Sequence, residues 1–173
     1  MAVIKSRDLV LFTDFDGVLH AADEPALDGT GRVIANERLF AWLPILVGIL
    51  EPYPEVRLVV SSDWRRLLDD ENLRLVLGPL GSRFVGIVET WGASRADEIL
   101  AEVRRRKLTH WLALDDHPTV AIASRHEPRF IACMPDTGLS APDVQAELRT
   151  RLAEVLDAVI PSSDNYPKPD NSV

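Results

Sequence analysis

The segment DFDGVLH, Asp14 to His20, follows directly on an apolar run and carries the sharpest chemical signal in the chain. Two carboxylates one residue apart, on a chain leaving a strand, cannot be hidden in a core without heavy desolvation cost. They must be solvated, paired or bound to a cation. A site is the economical reading. Gly17 lets the backbone turn sharply just after the pair. Magnesium takes oxygen ligands and usually keeps waters and substrate phosphate in its shell, so it suits a sparse carboxylate set.

Two later segments also end apolar runs. In SSDW, Ser61 to Trp64, hydroxyls and free amides at a helix start, Ser61 and Ser62 foremost, can form an anion site. Taken alone, a serine there is more often a plain helix cap. LALDDHP places Asp115 and Asp116 after another apolar run, where the bland alternative is a turn. Two acidic pairs at successive strand ends would repel in one crevice unless a divalent cation or a basic side chain lay between them. Arg95, early on the helix before the second pair, is the candidate base, although by itself it reads as an ordinary surface arginine. His20 and His117 border the acidic clusters and read as supporting or surface residues. Trp64, Trp91 and Trp111 lie near element ends and read as core packing, with stacking on a substrate ring as the alternative.

The elements that must position these groups are legible from periodicity. Short apolar runs alternate with helical patterns, which argues for βα units around a mostly parallel sheet covered on both faces, a three-layer doubly wound α/β class. Strands are expected at Asp8 to Thr13, Val56 to Val60, Phe84 to Val88, Trp111 to Leu114 and Arg129 to Met134. Ligands of open parallel sheets bind outside the carboxyl ends of strands, where the three polar segments fall. Ala21 to Gly31 reads as a loop or small hairpin. Asn36 caps an expected helix bearing Leu39, Phe40, Leu43, Leu46, Val47 and Leu50, which Pro44 should kink or start late. A second amphipathic segment, with Trp64, Leu67, Leu68, Leu75 and Val76, stops at Gly78 and Pro79. Ser94, helped by Glu98, caps a helix with Ile99, Leu100 and Val103 on one face. Ser140 opens a last helix with Val144, Leu148, Leu152, Val155 and Leu156 buried.

A chain of 173 residues, 46% hydrophobic, can bury a substantial core but is short for two domains. One domain over residues 1–160 is expected, followed by a disordered tail at 161–173 rich in Pro, Ser, Asn and Asp. A net charge of -8 argues against a nonspecific grip on nucleic acid or anionic membrane. The run Arg104 to Lys107 reads as a solvated helix end. The lone Cys133 lies in an apolar run and reads as a buried small hydrophobe. The Met1 region has no signal core and no stretch is long enough to cross a bilayer, so a cytoplasmic location without a membrane partner is expected.

Together the segments resemble the haloacid dehalogenase (HAD) superfamily of aspartate-nucleophile phosphatases and phosphotransferases over nearly the whole ordered chain. Asp14, Asp16 and Gly17 match its first motif, Ser61 the second, and Asp115 and Asp116 the fourth. Arg95 stands where the third motif usually has lysine, which changes the shape of the phosphate grip, with Lys107 as the fallback. SSDWR, WLALDD and DTGLS bring the chain nearer the small capless branch, which includes the HAD domains of bacterial RNA-repair proteins.

The resemblance implies that Asp14 attacks phosphorus to form an aspartyl phosphate, and that Asp16 serves as general acid and then base. It implies Mg2+ held by Asp14, the backbone carbonyl of Asp16 and an acid of the last cluster, Asp116 with Asp115 in support. Ser61 and Arg95, with Ser62 and Gly17, would hold the transferring oxygens. An acid two residues past the nucleophile is what a phosphatase needs; dehalogenases of the superfamily lack it. The intervals His20 to Arg32 and Ser61 to Arg95 leave no room for a large cap domain. The partner is then a phosphorylated substrate: a small molecule, a protein or a nucleic-acid end. The rivals are a noncatalytic module that keeps the fold, and a flavodoxin-like or nucleotide-binding α/β domain, which lacks support because no glycine-rich loop follows the first strand.

Overall fold

The structure is a computed structural model that describes residues 8–24, 28, 32 and 34–159. Five strands, β1 (Leu9–Thr13), β2 (Val56–Val60), β3 (Phe84–Ile87), β4 (Trp111–Asp115) and β5 (Phe130–Ala132), form one sheet in the order β3-β2-β1-β4-β5. Every pairing is parallel. β1 and β4 are buried at every position, as strands covered on both faces must be, which explains their uninterrupted apolar character.

Alternation along the strands divides the core between two layers. Leu9 and Leu11 face one layer with α1 (Leu43–Leu50), α2 (Asp70–Val76) and α5 (Pro142–Val159). Val10 and Phe12 face the other, with Ala96 and Ile99 of α3 (Arg95–Arg106) and Val120 of α4 (Pro118–Ala123). The architecture is the expected three-layer α/β/α sandwich. Each fully buried Leu, Ile or Phe in these layers contributes roughly 1.5–3 kcal/mol of transfer free energy, so the two layers anchor the central strand that carries Asp14.

Local differences from the expectations have identifiable causes. The Asn36 side chain accepts a hydrogen bond from Arg38 N (3.0 Å) and forms a turn, and helix α1 starts only at Leu43 with Pro44 in its first turn. The segment after β2 is broken into a 3-10 turn at Asp63–Arg66, α2, and a second 3-10 stretch at Gly78–Arg83, instead of one helix. β5 keeps only the central three residues of its expected span. A 3-10 turn at Gly138–Ser140 delays α5 to Pro142. Ser94 caps α3 with Asp97, not Glu98, as its reciprocal partner: its hydroxyl accepts from Asp97 N and donates to Asp97 Oδ2. α4 was not anticipated; it is too short to show a helical period. Only part of the Ala21 to Gly31 loop, and none of the 161–173 tail, falls within the described residues.

Arg104, Arg105 and Lys107 of the Arg104 to Lys107 run are exposed, as expected of a solvated helix end, and only Arg106 is largely covered. Arg105 and Arg106 both donate to Glu102, which is fully buried. Burial is the largest influence on Glu102 and pulls its pKa upward, yet the two arginines outweigh it and hold the carboxyl below its ordinary value. No helix among the described residues is long and apolar enough to cross a membrane.

Candidate active site

Strand register brings the three polar segments to one place. Thr13 pairs with Val60 on one side and with Leu114 on the other, so Asp14, Ser61 and Asp115 leave the sheet at one level. Backbone bonds extend that alignment past the strands, from Asp14 N to Leu114 O (3.1 Å) and from Ser61 N to Thr13 O (3.0 Å).

Asp14, Asp115 and Asp116 each offer an oxygen within 4.8 Å of the others. Two full negative charges at that spacing repel by about 3–4 kcal/mol near a protein surface. The electrostatics record this conflict. Burial, then Asp14, raises the pKa of Asp115 well above the usual carboxylate range, and the same two influences lift Asp116 to about 6. Asp14 is also raised by burial, against the opposing pull of Arg95, the Phe15 amide and the Ser62 hydroxyl. A set of hard oxygen donors that disfavour their own ionisation fits a divalent cation.

Gly17 makes this convergence sterically feasible. Its φ is +66°, and a Cβ there would stand 2.1 Å from Asp116 Oδ2. The second acidic cluster therefore closes on the first only over a glycine.

Arg95 lies among the acids, its side chain only 9% exposed. Its guanidinium is 3.9 Å from Asp14 Oδ2, 3.8 Å from Asp115 Oδ2 and 3.5 Å from Asp63 Oδ1. Burial works against its charge, but Asp14, Asp115, Asp63 and Glu98 outweigh it and raise its pKa. Its buried Nη1 has no hydrogen-bond partner among the described residues, so one donor of the fork stays available to an anion. Lys107 is an exposed residue at the far end of α3, in a left-handed C-cap conformation, and is not part of this group.

The two serines divide their work. Ser61 Oγ donates to Asp115 Oδ2 (3.4 Å), whose Oδ1 accepts from His117 N (2.9 Å). Ser62 Oγ caps the following turn by accepting from Trp64 N (3.3 Å), and its hydroxyl is among the groups that pull the Asp14 pKa down. The His117 ring caps α4 by accepting from Thr119 N.

Asp16 is held on both oxygens. Trp64 Nε1 donates to Oδ2 (3.0 Å) and His20 Nε2 is hydrogen-bonded to Oδ1 (3.1 Å). The Trp64 ring is fixed edge-on by Phe15 and Phe40, with centroids 5.8 and 5.3 Å away. Phe40 adopts φ 57°, rare for a bulky residue, and its ring also meets His20. Trp64 is thus core and site at once, Trp111 is core, and Trp91 lies outside the core, at 75% exposure.

Beneath the Ser61 turn lies a pair that sequence reasoning missed. Arg65 donates to the Ser61 carbonyl and, at 2.8 Å, to Glu98 Oε2, with both side chains almost wholly buried. It ties the turn after β2 to the first turn of α3, and so sets Ser61 relative to Arg95. The one available sign was the i, i+4 pair Glu98 and Glu102 beside the apolar stripe of α3, both of which are buried.

Cys133 is buried, its thiol pushed up by burial and by the nearby carboxylates, and its amide donates to Asp115 O (3.0 Å). It acts as a backbone support for the acidic cluster.

No curated protein and no solved structure matches the chain significantly. A family described as the HAD domain in Swiss Army Knife RNA repair proteins matches residues 10–144, a span that runs from β1 into α5 and contains every residue of the acidic cluster. With that match lying over this fold and these carboxylates, the chain belongs to the HAD superfamily, in the family of HAD domains of RNA repair proteins.

Proposed function

We propose that the protein is a magnesium-dependent phosphohydrolase that works through an aspartyl phosphate on Asp14, with a phosphorylated RNA end as its substrate. The observation that carries this reading is the convergence of Asp14, Asp115 and Asp116 within 4.8 Å beside the buried guanidinium of Arg95. Membership of the HAD family supports the phosphohydrolase class, and the occurrence of that family's domains in RNA repair proteins supports the RNA end.

Asp14 Oδ1 accepts from Phe15 N at 2.7 Å, and Oδ2 faces Arg95. In the first step Oδ2 attacks phosphorus, the bond to the leaving oxygen breaks, and Asp16 in its acid form delivers a proton to that oxygen. In the second, Asp16 takes a proton from water as it attacks the phosphorus of the acyl phosphate, which releases inorganic phosphate and restores Asp14. Arg95, with its unpartnered Nη1, and the Ser61 and Ser62 turn hold the nonbridging oxygens as charge redistributes. Asp14 and Asp116, with Asp115, would hold magnesium, whose charge lets an anionic nucleophile approach an anionic phosphate.

The test is phosphate release from p-nitrophenyl phosphate and from phosphorylated oligoribonucleotides, with magnesium and after chelation. Wild type should turn over only with the metal, and Asp14→Asn should abolish turnover while retaining the wild-type circular dichroism spectrum. Wild-type protein inert on the whole panel, or Asp14→Asn still active, would overturn the reading.

A further inference from the structure

Beside the acidic cluster lies a polar cleft of about 200 Å³ lined by Asp63, Arg66, Ser94, Arg95, Glu98 and His117, among others. It begins at Arg95, which borders Asp14, and reaches Arg66, whose guanidinium lies 4.6 Å from the centroid of the Trp91 ring. Trp91 is the most exposed large apolar side chain among the described residues. A tryptophan three-quarters in water contributes little to folding through burial, and a single cation over an exposed ring is a weak contact.

The loop that carries Trp91 is nevertheless built firmly. Glu89 N donates to the buried Glu102 (3.2 Å), and Thr90 Oγ1 donates to Glu98 O (2.7 Å). Gly92 packs so tightly on α3 that a Cβ would stand 2.8 Å from Glu98 N. These contacts hold the backbone on both sides of position 91 against the helix and leave the indole outside.

We propose that Trp91, with Arg66, is the stacking platform for the nucleobase next to the scissile phosphate of a phosphorylated end. This inference rests on the phosphohydrolase reading above and assigns a residue-level determinant to it. The cleft is too small for a whole drug-sized ligand and suits one group of a larger molecule. Its two arginines, Arg66 and Arg95, both face Asp63, and Glu98 adds a second acid to the lining, so it offers no continuous basic track for a backbone. With a chain charge of -8 as well, grip by a run of phosphates is disfavoured, whereas stacking on a π face needs no net charge. A base inside a duplex is stacked on both faces, whereas the base at an end has a face free for an indole.

The experiment compares a phosphorylated oligoribonucleotide with the same strand lacking only its terminal base, and with a phosphopeptide, for wild type, Trp91→Ala and Trp91→Phe. Wild type should favour the base-bearing end over the abasic one about tenfold in kcat/KM, in line with the usual effect of one stacked base. Trp91→Ala should bring that ratio close to one, and Trp91→Phe should keep most of it. A ratio untouched by Trp91→Ala, or a larger dependence on Trp91 with the phosphopeptide, overturns the proposal. Binding of the two oligonucleotides to magnesium-free protein, followed by the anisotropy of a dye on the far end of each strand, gives an affinity ratio without turnover. If nothing is hydrolysed while the binding ratio still depends on Trp91, the phosphohydrolase reading fails and the base platform stands; if that ratio is one in wild type, the platform fails.

Discussion

Trp64 donates its indole N–H to Asp16 at 3.0 Å across 48 residues of sequence, and so joins the turn after β2 to the acid two residues past Asp14. With His20 on the other oxygen, the carboxyl of Asp16 has one orientation set from two sides. Trp64→Phe keeps the buried ring and removes the donor. A hydrogen bond to a charged group is worth about 1.5–3 kcal/mol, so we expect kcat to fall about tenfold or more with KM little changed, measured by steady-state kinetics. An equal change in KM alone would mean that Trp64 acts on binding and not on Asp16.

Gly17→Ala tests the closure of the two acidic clusters. The substitution must bear a left-handed φ and displace the Asp116 carboxylate, while the sheet below it stays intact. Turnover and the magnesium-induced rise in melting temperature should both be lost, with the metal-free melting temperature lowered by far less than the loss of function implies. Thermal melts with and without magnesium decide this.

The acidic cluster also sets a pH dependence whose sign can be worked out. Asp116 has its pKa raised to about 6 in the fold from 3.8, and Asp14 and Asp115 move in the same direction. A group whose pKa rises on folding contributes stability that is complete below the unfolded value and is lost as pH climbs through the folded value. Metal-free protein should therefore lose stability between pH 4 and about 6, by up to about 3 kcal/mol from Asp116, as read by urea melts. Magnesium should flatten the profile, and Asp116→Asn should make it shallower without metal.

Arg65 and Glu98 form a buried pair whose partners depend on one another. Arg65→Met leaves a buried carboxylate uncompensated and should cost about 3–5 kcal/mol, whereas adding Glu98→Gln should recover a large part of that loss. A double-mutant cycle in urea that shows no coupling would refute the pairing.

How far these features could be read in advance depended on range. β1 and β4 announce themselves because burial on both faces demands apolar residues at every position, and the acids at their ends are conspicuous for the same reason. Asp14, Asp16, Asp115 and Asp116 stand out as paired acids at strand ends, whereas Ser61, more often a plain helix cap, needed the resemblance. Arg95 needed the resemblance, since one arginine at a helix start looks like any other. The Trp64 to Asp16 and Arg65 to Glu98 contacts join residues that no periodicity relates, because they arise only when β2, β1 and α3 are packed together. Trp91 was expected in the core because tryptophan usually gains by burial; its loop is instead anchored by backbone contacts that leave the ring outside.

The state of Cys133 has a practical use. The sulfur is enclosed and its proton is held tightly, so maleimides should leave it unmodified while the protein stays folded. Thr109→Cys, an exposed position just ahead of β4 on the rim away from Asp14, would then be the sole labelled thiol. A dye or surface tether placed there sits roughly 16 Å of strand from the chemistry, which leaves the mouth of the crevice unobstructed for single-molecule work.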